Sequence, residues 1–118
     1  MNREIIQQMQ SQFDLLAHKT DDGTEFWYAR DLQKLLGYTS WQNFSTVIGR
    51  AVKSCETAKI NSSDQFNVVI KLIKHGKGGE REIEDVVLTR YACYLIAQNG
   101  DPSKEPIAFA QCWTRRYL

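Results

Sequence analysis

Ile5, Met9, Phe13 and Leu16 recur at intervals of three or four through a glutamine-rich segment, the spacing that keeps apolar side chains on one face of an α-helix. That helix is expected to end near His18. "TDDGTE" (20–25) follows, and because Asp and Gly accept bent or positive-φ backbone it predicts a turn. The aromatic "FWYA" beyond it is β-prone and predicts a short extended segment. In "ARDLQKLLGY" (29–38), Leu32, Leu35 and Leu36 share one face ahead of Gly37, a residue suited to a left-handed helix end, so a short helix is expected. Ser40 is placed to cap the next helix, whose stripe is Trp41, Phe44, Ile48, Val52 and Cys55, ending near Ala58.

The pattern then changes period. "FNVVIKLIK" (66–74) is rich in β-branched residues, "HGKGG" is a glycine turn, and "EREIEDVVLT" (80–89) continues beyond it, which together predict a β-hairpin. A helix would also accommodate 66–74, but its composition favours a strand. Thr89 can cap a helix with Leu88, Ala92, Leu95 and Ile96 on its stripe, closed by a C-cap at Asn99-Gly100. Asp101-Pro102 blocks its continuation, and Ser103 opens a last helix that tolerates Pro106 in its first turn and turns Ile107, Ala110 and Trp113 inward. With Tyr91, these residues are expected to build the core of a helical hairpin. The expected fold class is mainly α with a small β-hairpin (α+β): a helix-turn-helix-like pair, the hairpin, and a C-terminal helical hairpin.

Composition adds bounds. At 118 residues the chain suits one domain with one core, and 42% apolar with 25% charged residues is a globular balance. Fifteen Lys and Arg against fourteen Asp and Glu leave +1, so any basic surface has to be local. Cys55, Cys93 and Cys112 are odd in number and widely spaced, matching neither a disulfide framework nor a zinc knuckle. The N-terminus reads as neither signal peptide nor membrane span, so a cytoplasmic protein without membrane attachment is expected.

Candidate chemistry is sparse. "HGKGGER" lacks the GxxxxGK[ST] spacing of a phosphate loop and suits a hairpin turn better. His18 and His75 have no ligand partner at metal spacing, and Cys93 reads as a small buried residue rather than an activated thiolate. Glu80, Glu82, Glu84 and Asp85 read as the solvent face of an edge strand; a nuclease would have to use them around a metal. No catalytic residue, metal or cofactor is assigned.

The helix-glycine-helix segment is the stronger candidate. Gln42, Asn43, Ser45, Arg50 and Lys53 remain on the outer face of the Ser40–Ala58 helix, side chains able to reach base edges or phosphates, with an ordinary solvated face as the equal alternative. Lys71, Lys74, Lys77 and Arg81 add positive charge around the hairpin, which could lie on a phosphate backbone like a wing, although four nearby acids offset it. Arg90 would meet either a phosphate or Glu84 and Asp85, the ion pair being favoured. Trp27, Tyr28 or Trp41 could stack unpaired bases if exposed, with core packing the favoured role.

"EFWYARDLQKLLGYTSWQNF", "EDVVLTRYACYLIAQNGDPSKEPIAFAQ" and the closing "TRR" resemble the bacterial DNA-damage-inducible protein D family, from Phe26 almost to the end. More distantly, the layout is similar to the N-terminal domains of phage antirepressors and of the Bro family. The resemblance implies DNA binding, interference with DNA-bound regulators and damage-inducible expression. It also implies a division of the single domain 1–118 into an amphipathic N-terminal helix (1–19) and a Bro/antirepressor-like part (26–118). Family members carry an aromatic-rich segment between "IAFAQ" and "TRR", whereas "CWTRRYL" follows directly here, so a truncated or altered C-terminus is expected. The expected partners are nucleic acid, single or double stranded, and/or DNA-repair or repressor proteins, with a homodimer as a further expectation.

Overall fold

Phe13 and Trp27 lie face to face, ring centroids 4.4 Å apart and 8° from parallel, and this stack joins the N-terminal helix to the rest of the core. The structure, a computed structural model, describes residues 3–114, so Arg115 and Arg116 of the "TRR" motif lie outside the described residues. The described elements are α1 (Arg3–Leu15), β1 (His18–Lys19), β2 (Glu25–Tyr28), α2 (Ala29–Leu35), α3 (Trp41–Thr57), a 3-10 turn (Ser62–Asp64), β3 (Phe66–His75), β4 (Gly79–Leu88), α4 (Arg90–Asn99) and α5 (Glu105–Thr114). The protein is a mixed α+β fold, with five α-helices against one antiparallel sheet among the described residues. None of the described helices is long and apolar enough to cross a membrane.

The sheet is larger than a hairpin, because the two aromatic-rich residues Trp27 and Tyr28 pair with Leu88 and Val87. Strand order is β1-β2-β4-β3. β4 is therefore flanked on both sides at Val87 and Leu88, and of the four acids expected on the solvent face of an edge, Glu80, Glu82 and Glu84 are exposed and Asp85 is not. Asp85 is fully buried. Directly following Glu84, it falls on the opposite face of a period-2 strand and points beneath α2. Its carboxylate accepts the Arg30 backbone N–H (3.0 Å), its neighbour Val86 N–H (2.8 Å) and the Lys71 ammonium (2.7 Å). α2 begins after Tyr28, which offers no side-chain cap, so a carboxylate from another strand satisfies one of its free N–H groups.

α2 and α3 end alike. After Leu36, Gly37 takes φ +80°, and Tyr38 N–H returns to Gln33 O at 3.0 Å. After Ala58, Lys59 takes φ +64°, and Ile60 N–H returns to Cys55 O at 3.1 Å. Both are Schellman closures, and Lys59 occupies the left-handed position that glycine fills at Gly37.

The two turns flagged in the sequence meet in space. Tyr38 hydroxyl accepts the Asp101 backbone N–H at 3.0 Å, and a Cβ at Gly37 would lie 3.2 Å from the Pro106 ring. "LGY" thus docks on "NGDP". Gly100 departs from the expected left-handed C-cap: its φ of −77° suits any residue. Space is the constraint, since a Cβ there would sit 2.6 Å from Cδ1 of buried Ile107.

The caps expected at Ser40 and Thr89 are present, accepting N–H groups of Asn43 and Ala92. Pro106 lies in the first turn of α5, and Ile107, Ala110 and Trp113 are buried. The stripes are displaced in detail. On α3 the buried residues are Phe44, Val47, Ile48, Ala51 and Cys55, with Trp41 and Val52 half-buried. On α4 Cys93, Tyr94 and Ala97 are buried beside Ala92 and Ile96, while Tyr91 and Leu95 lie at the margin. α4 is contacted on two sides, by α3 and by α5, so more than one stripe is covered.

Replacing Gly100 with Ala is expected to destabilise the fold by about 1–3 kcal/mol through overpacking alone, measured by urea unfolding. Ile107→Val in the same chain, which removes Cδ1, restores part of the loss. Asp85→Ala is expected to cost about 3 kcal/mol, because it strips a buried carboxylate from both an ammonium and a helix start. An Asp85→Ala variant with an unshifted urea midpoint would remove that joint from the account.

Candidate functional site

α3 presents one polar face because the other is consumed by the core. Phe44, Val47, Ile48, Ala51 and Cys55 point inward, and Gln42, Asn43, Thr46, Arg50 and Lys53 are exposed. Asn43, Thr46, Arg50 and Lys53 follow at steps of three, four and three, so they form one row along the helix. Gln42 flanks it, and its carbonyl accepts the Thr46 hydroxyl at 3.2 Å. Glu56 is the lone acid of this helix, so its outer face is weakly basic.

Arg50 has a structural tie as well. Its Nη2 donates to the carbonyl of Asn99 at 3.0 Å, at the end of α4, where the last carbonyls run out of partners within the helix and take donors from elsewhere. Ser54 Oγ lies 3.4 Å from the Asn99 side-chain oxygen, so the two helices are joined along this margin. Beside it Arg50, Lys53, Ser54, Thr57 and Ala58 line an open hollow. Two cations and two hydroxyls there make an anion-compatible surface.

The hairpin cations do not form a continuous strip. Lys74 faces Glu80 across the strands and shares a face with Glu82 and Glu84, whereas Arg81 faces Ile73 and projects on the opposite side. Lys77 lies in the connecting turn. Lys71 is already committed: its ammonium lies 2.7 Å from Asp85 and 3.3 Å above the Tyr28 ring.

Arg90 also differs from expectation. Its partners are Glu25, reached at 3.1 Å by Nη2 on both carboxylate oxygens, and Asp14 at 3.7 Å, not Glu84 and Asp85. α4 starts beside β2, so the guanidinium lies over Trp27 and Phe13, 5.0 and 5.5 Å from their ring centres. Burial works against its charge, but hydrogen bonds with Tyr94 and Glu25 outweigh this and hold its pKa above the ordinary value. Trp27 is fully buried, its indole N–H donating to Phe13 O at 2.8 Å, so it offers no ring to a base. Tyr28 is covered by Lys71, and Trp41 by the Arg30 guanidinium at 4.2 Å.

Cys93 is buried, and desolvation pushes its thiol far above the usual range, as suits a packing residue. Among the described residues no three His, Cys, Asp or Glu side chains are grouped closely enough to hold a metal. Two joints escaped the sequence reading. The Asp85 contact was signalled by the break in alternation after Glu84; the Arg50–Asn99 bond links residues far apart in sequence and leaves no local signal.

Residues 16–118 match the BRO family, N-terminal domain. DNA damage-inducible protein D of Escherichia coli (strain K12) is 44% identical over 92 residues, covering 78% of this chain and 34% of that protein. The chain thus spans about a third of the length of the curated relative it matches. No solved structure matches it. The family match takes in the whole sheet, α2 to α5 and the row on α3, so this chain belongs to the BRO family, as a carrier of its N-terminal domain.

Proposed function

We propose that this domain is a non-catalytic regulatory module of the DNA-damage response that binds nucleic acid along the outer face of α3. The row Asn43, Thr46, Arg50 and Lys53, with Gln42 beside it, carries this reading: amides and a hydroxyl that can hydrogen-bond base edges occupy its N-terminal half and cations that can meet phosphates its C-terminal half, on a face with one acid. The name of the Escherichia coli relative supports the DNA-damage setting. An antirepressor-like role, displacing or blocking other DNA-bound regulators, accords with a domain that positions rather than reacts.

In this reading α2, the Gly37 turn and α3 act as a helix-turn-helix-like pair. Pro106 and Asp101 brace the turn from behind, so α3 is presented on a rigid base. Lys53 meets phosphate, and Arg50 divides its donors between Asn99 and a ligand. Duplex DNA is the preferred form, because a regular helix fits the major groove and the aromatic rings a single strand would stack on are buried or covered. Lys74, Lys77 and Arg81 would follow the backbone only as separate contacts, while Arg90 supports the fold rather than the ligand.

A second reading, a protein-binding module that acts on a repressor, recombinase or repair factor, is favoured by the net charge of +1, which provides little long-range attraction to a polyanion.

Fluorescence anisotropy with labelled duplex and single-stranded DNA at two salt concentrations tests the first reading. Binding is expected to weaken with salt, and Lys53→Glu to lower affinity about tenfold and flatten the salt slope by about one. Absence of binding to either form would turn the assignment to the protein-partner reading. Lys74→Glu with Lys77→Glu is expected to have a smaller effect than Lys53→Glu; unchanged affinity with an intact far-UV spectrum would take the hairpin out of the interface.

A further inference from the structure

The outer strand of the sheet is unguarded. Among the described residues β3 pairs only with β4, which leaves the backbone groups of its other edge without a strand partner there. Val68, Ile70 and Leu72 alternate along it on one face and are 60%, 60% and 66% exposed. Natural edges are usually protected by proline, a bulge or charge. Here the register runs unbroken from Phe66–Leu88 to His75–Gly79, the strand has no proline, and Lys71 is drawn to Asp85 on the other face. Glu80, Glu82 and Glu84 border the apolar row on β4, opposite Lys74, Leu72 and Ile70. That acidic border repels phosphate, so this face is separate from the one proposed for nucleic acid.

We propose that a second copy of this chain covers the edge, β3 pairing antiparallel with β3 about a two-fold axis through Ile70. Centred there, the facing pairs are Val68 with Leu72, Ile70 with Ile70, Val69 with Lys71 and Phe66 with Lys74. The apolar row meets its own copy, and no like charges face each other. Moving the axis to Lys71 would set two lysines directly opposite. The lysines of β3 tolerate this register, because each faces an apolar residue of the other copy while its charge is offset within its own chain, Lys71 by Asp85 and Lys74 by Glu80 across the strands. The glutamate rows of the two copies are three strand spacings apart, about 14 Å, beyond a Debye length of about 8 Å. A closed, self-complementary seam of this kind is the commonest symmetry of homo-oligomers. It buries less than the ~1,200 Å² of a stable interface, so the pair forms as a function of concentration.

Sedimentation velocity of the 118-residue chain tests this. The sedimentation coefficient is expected to rise between about 1 μM and 1 mM, the range of weak pairs. Ile70→Lys, at an exposed site that spares the core, is expected to abolish the rise, and Leu15→Lys on α1, at an apolar side chain 84% exposed, to preserve it. Cross-linking reads the register. In a Cys112→Ser background, Ile70→Cys is expected to form a disulfide-linked dimer on oxidation, because its two copies would lie about 4.5–5.5 Å apart. Lys74→Cys, with its copies about 27 Å apart, is expected to remain monomeric. A chain that stays monomeric to 1 mM overturns the proposal and leaves the edge to a strand from another protein. So does dimerisation unaffected by Ile70→Lys, or equal cross-linking of the two cysteine variants.

Discussion

The Asp85 carboxylate is the point at which sheet and helices are joined. A buried charge is tolerated only where hydrogen bonds and an opposite charge replace water, and Asp85 has both in Lys71 and the start of α2. Because the carboxylate holds the first turn of α2, it fixes where that helix begins; the Gly37 closure fixes where it ends. α3 follows α2 after five residues, so its direction depends on a contact made on β4. The row on α3 is therefore positioned by groups that never approach it.

A second set of contacts works from the other side. Phe13 stacks on Trp27, Trp113 meets the edge of Phe13 at 5.0 Å, and Arg90 lies over the pair while bound to Glu25 and Asp14. A guanidinium over aromatic faces, with its donors met by carboxylates at the margin, combines cation–π attraction with ion pairing. One residue thus ties α1, β2 and α4 together, and α1 shares the core of the family domain instead of lying beside it.

Most helix ends were legible because they depend on neighbours in sequence. Ser40, Thr89 and Gly37 act within three or four residues, and each takes the role its chemistry suggests. Tertiary contacts were less accessible. Gly100 looked like a left-handed cap, but the side chain that demands glycine there, Ile107, belongs to the next helix. Arg90 was expected to use acids close in sequence and instead bonds Glu25 across the sheet. Asn43, Arg50 and Lys53 of the candidate row were readable from periodicity, but Thr46 was passed over for Ser45, which is half-buried, and the use of Arg50 at the end of α4 depends on how two helices cross.

Strand order also bears on the route by which the chain folds. β3 and β4 are joined by a short turn, so their pairing closes a small loop at a small entropic cost. β2 reaches β4 only after the whole intervening segment has been brought round, and α1 meets α5 from opposite ends of the described chain. Those long-range seams carry the larger closure entropy. Until β2 arrives, β4 is itself an unpaired edge, and the nascent hairpin exposes bare backbone on both sides. Crowded, unfinished chains are then at risk of misassociation through an edge that the mature sheet covers at Val87 and Leu88.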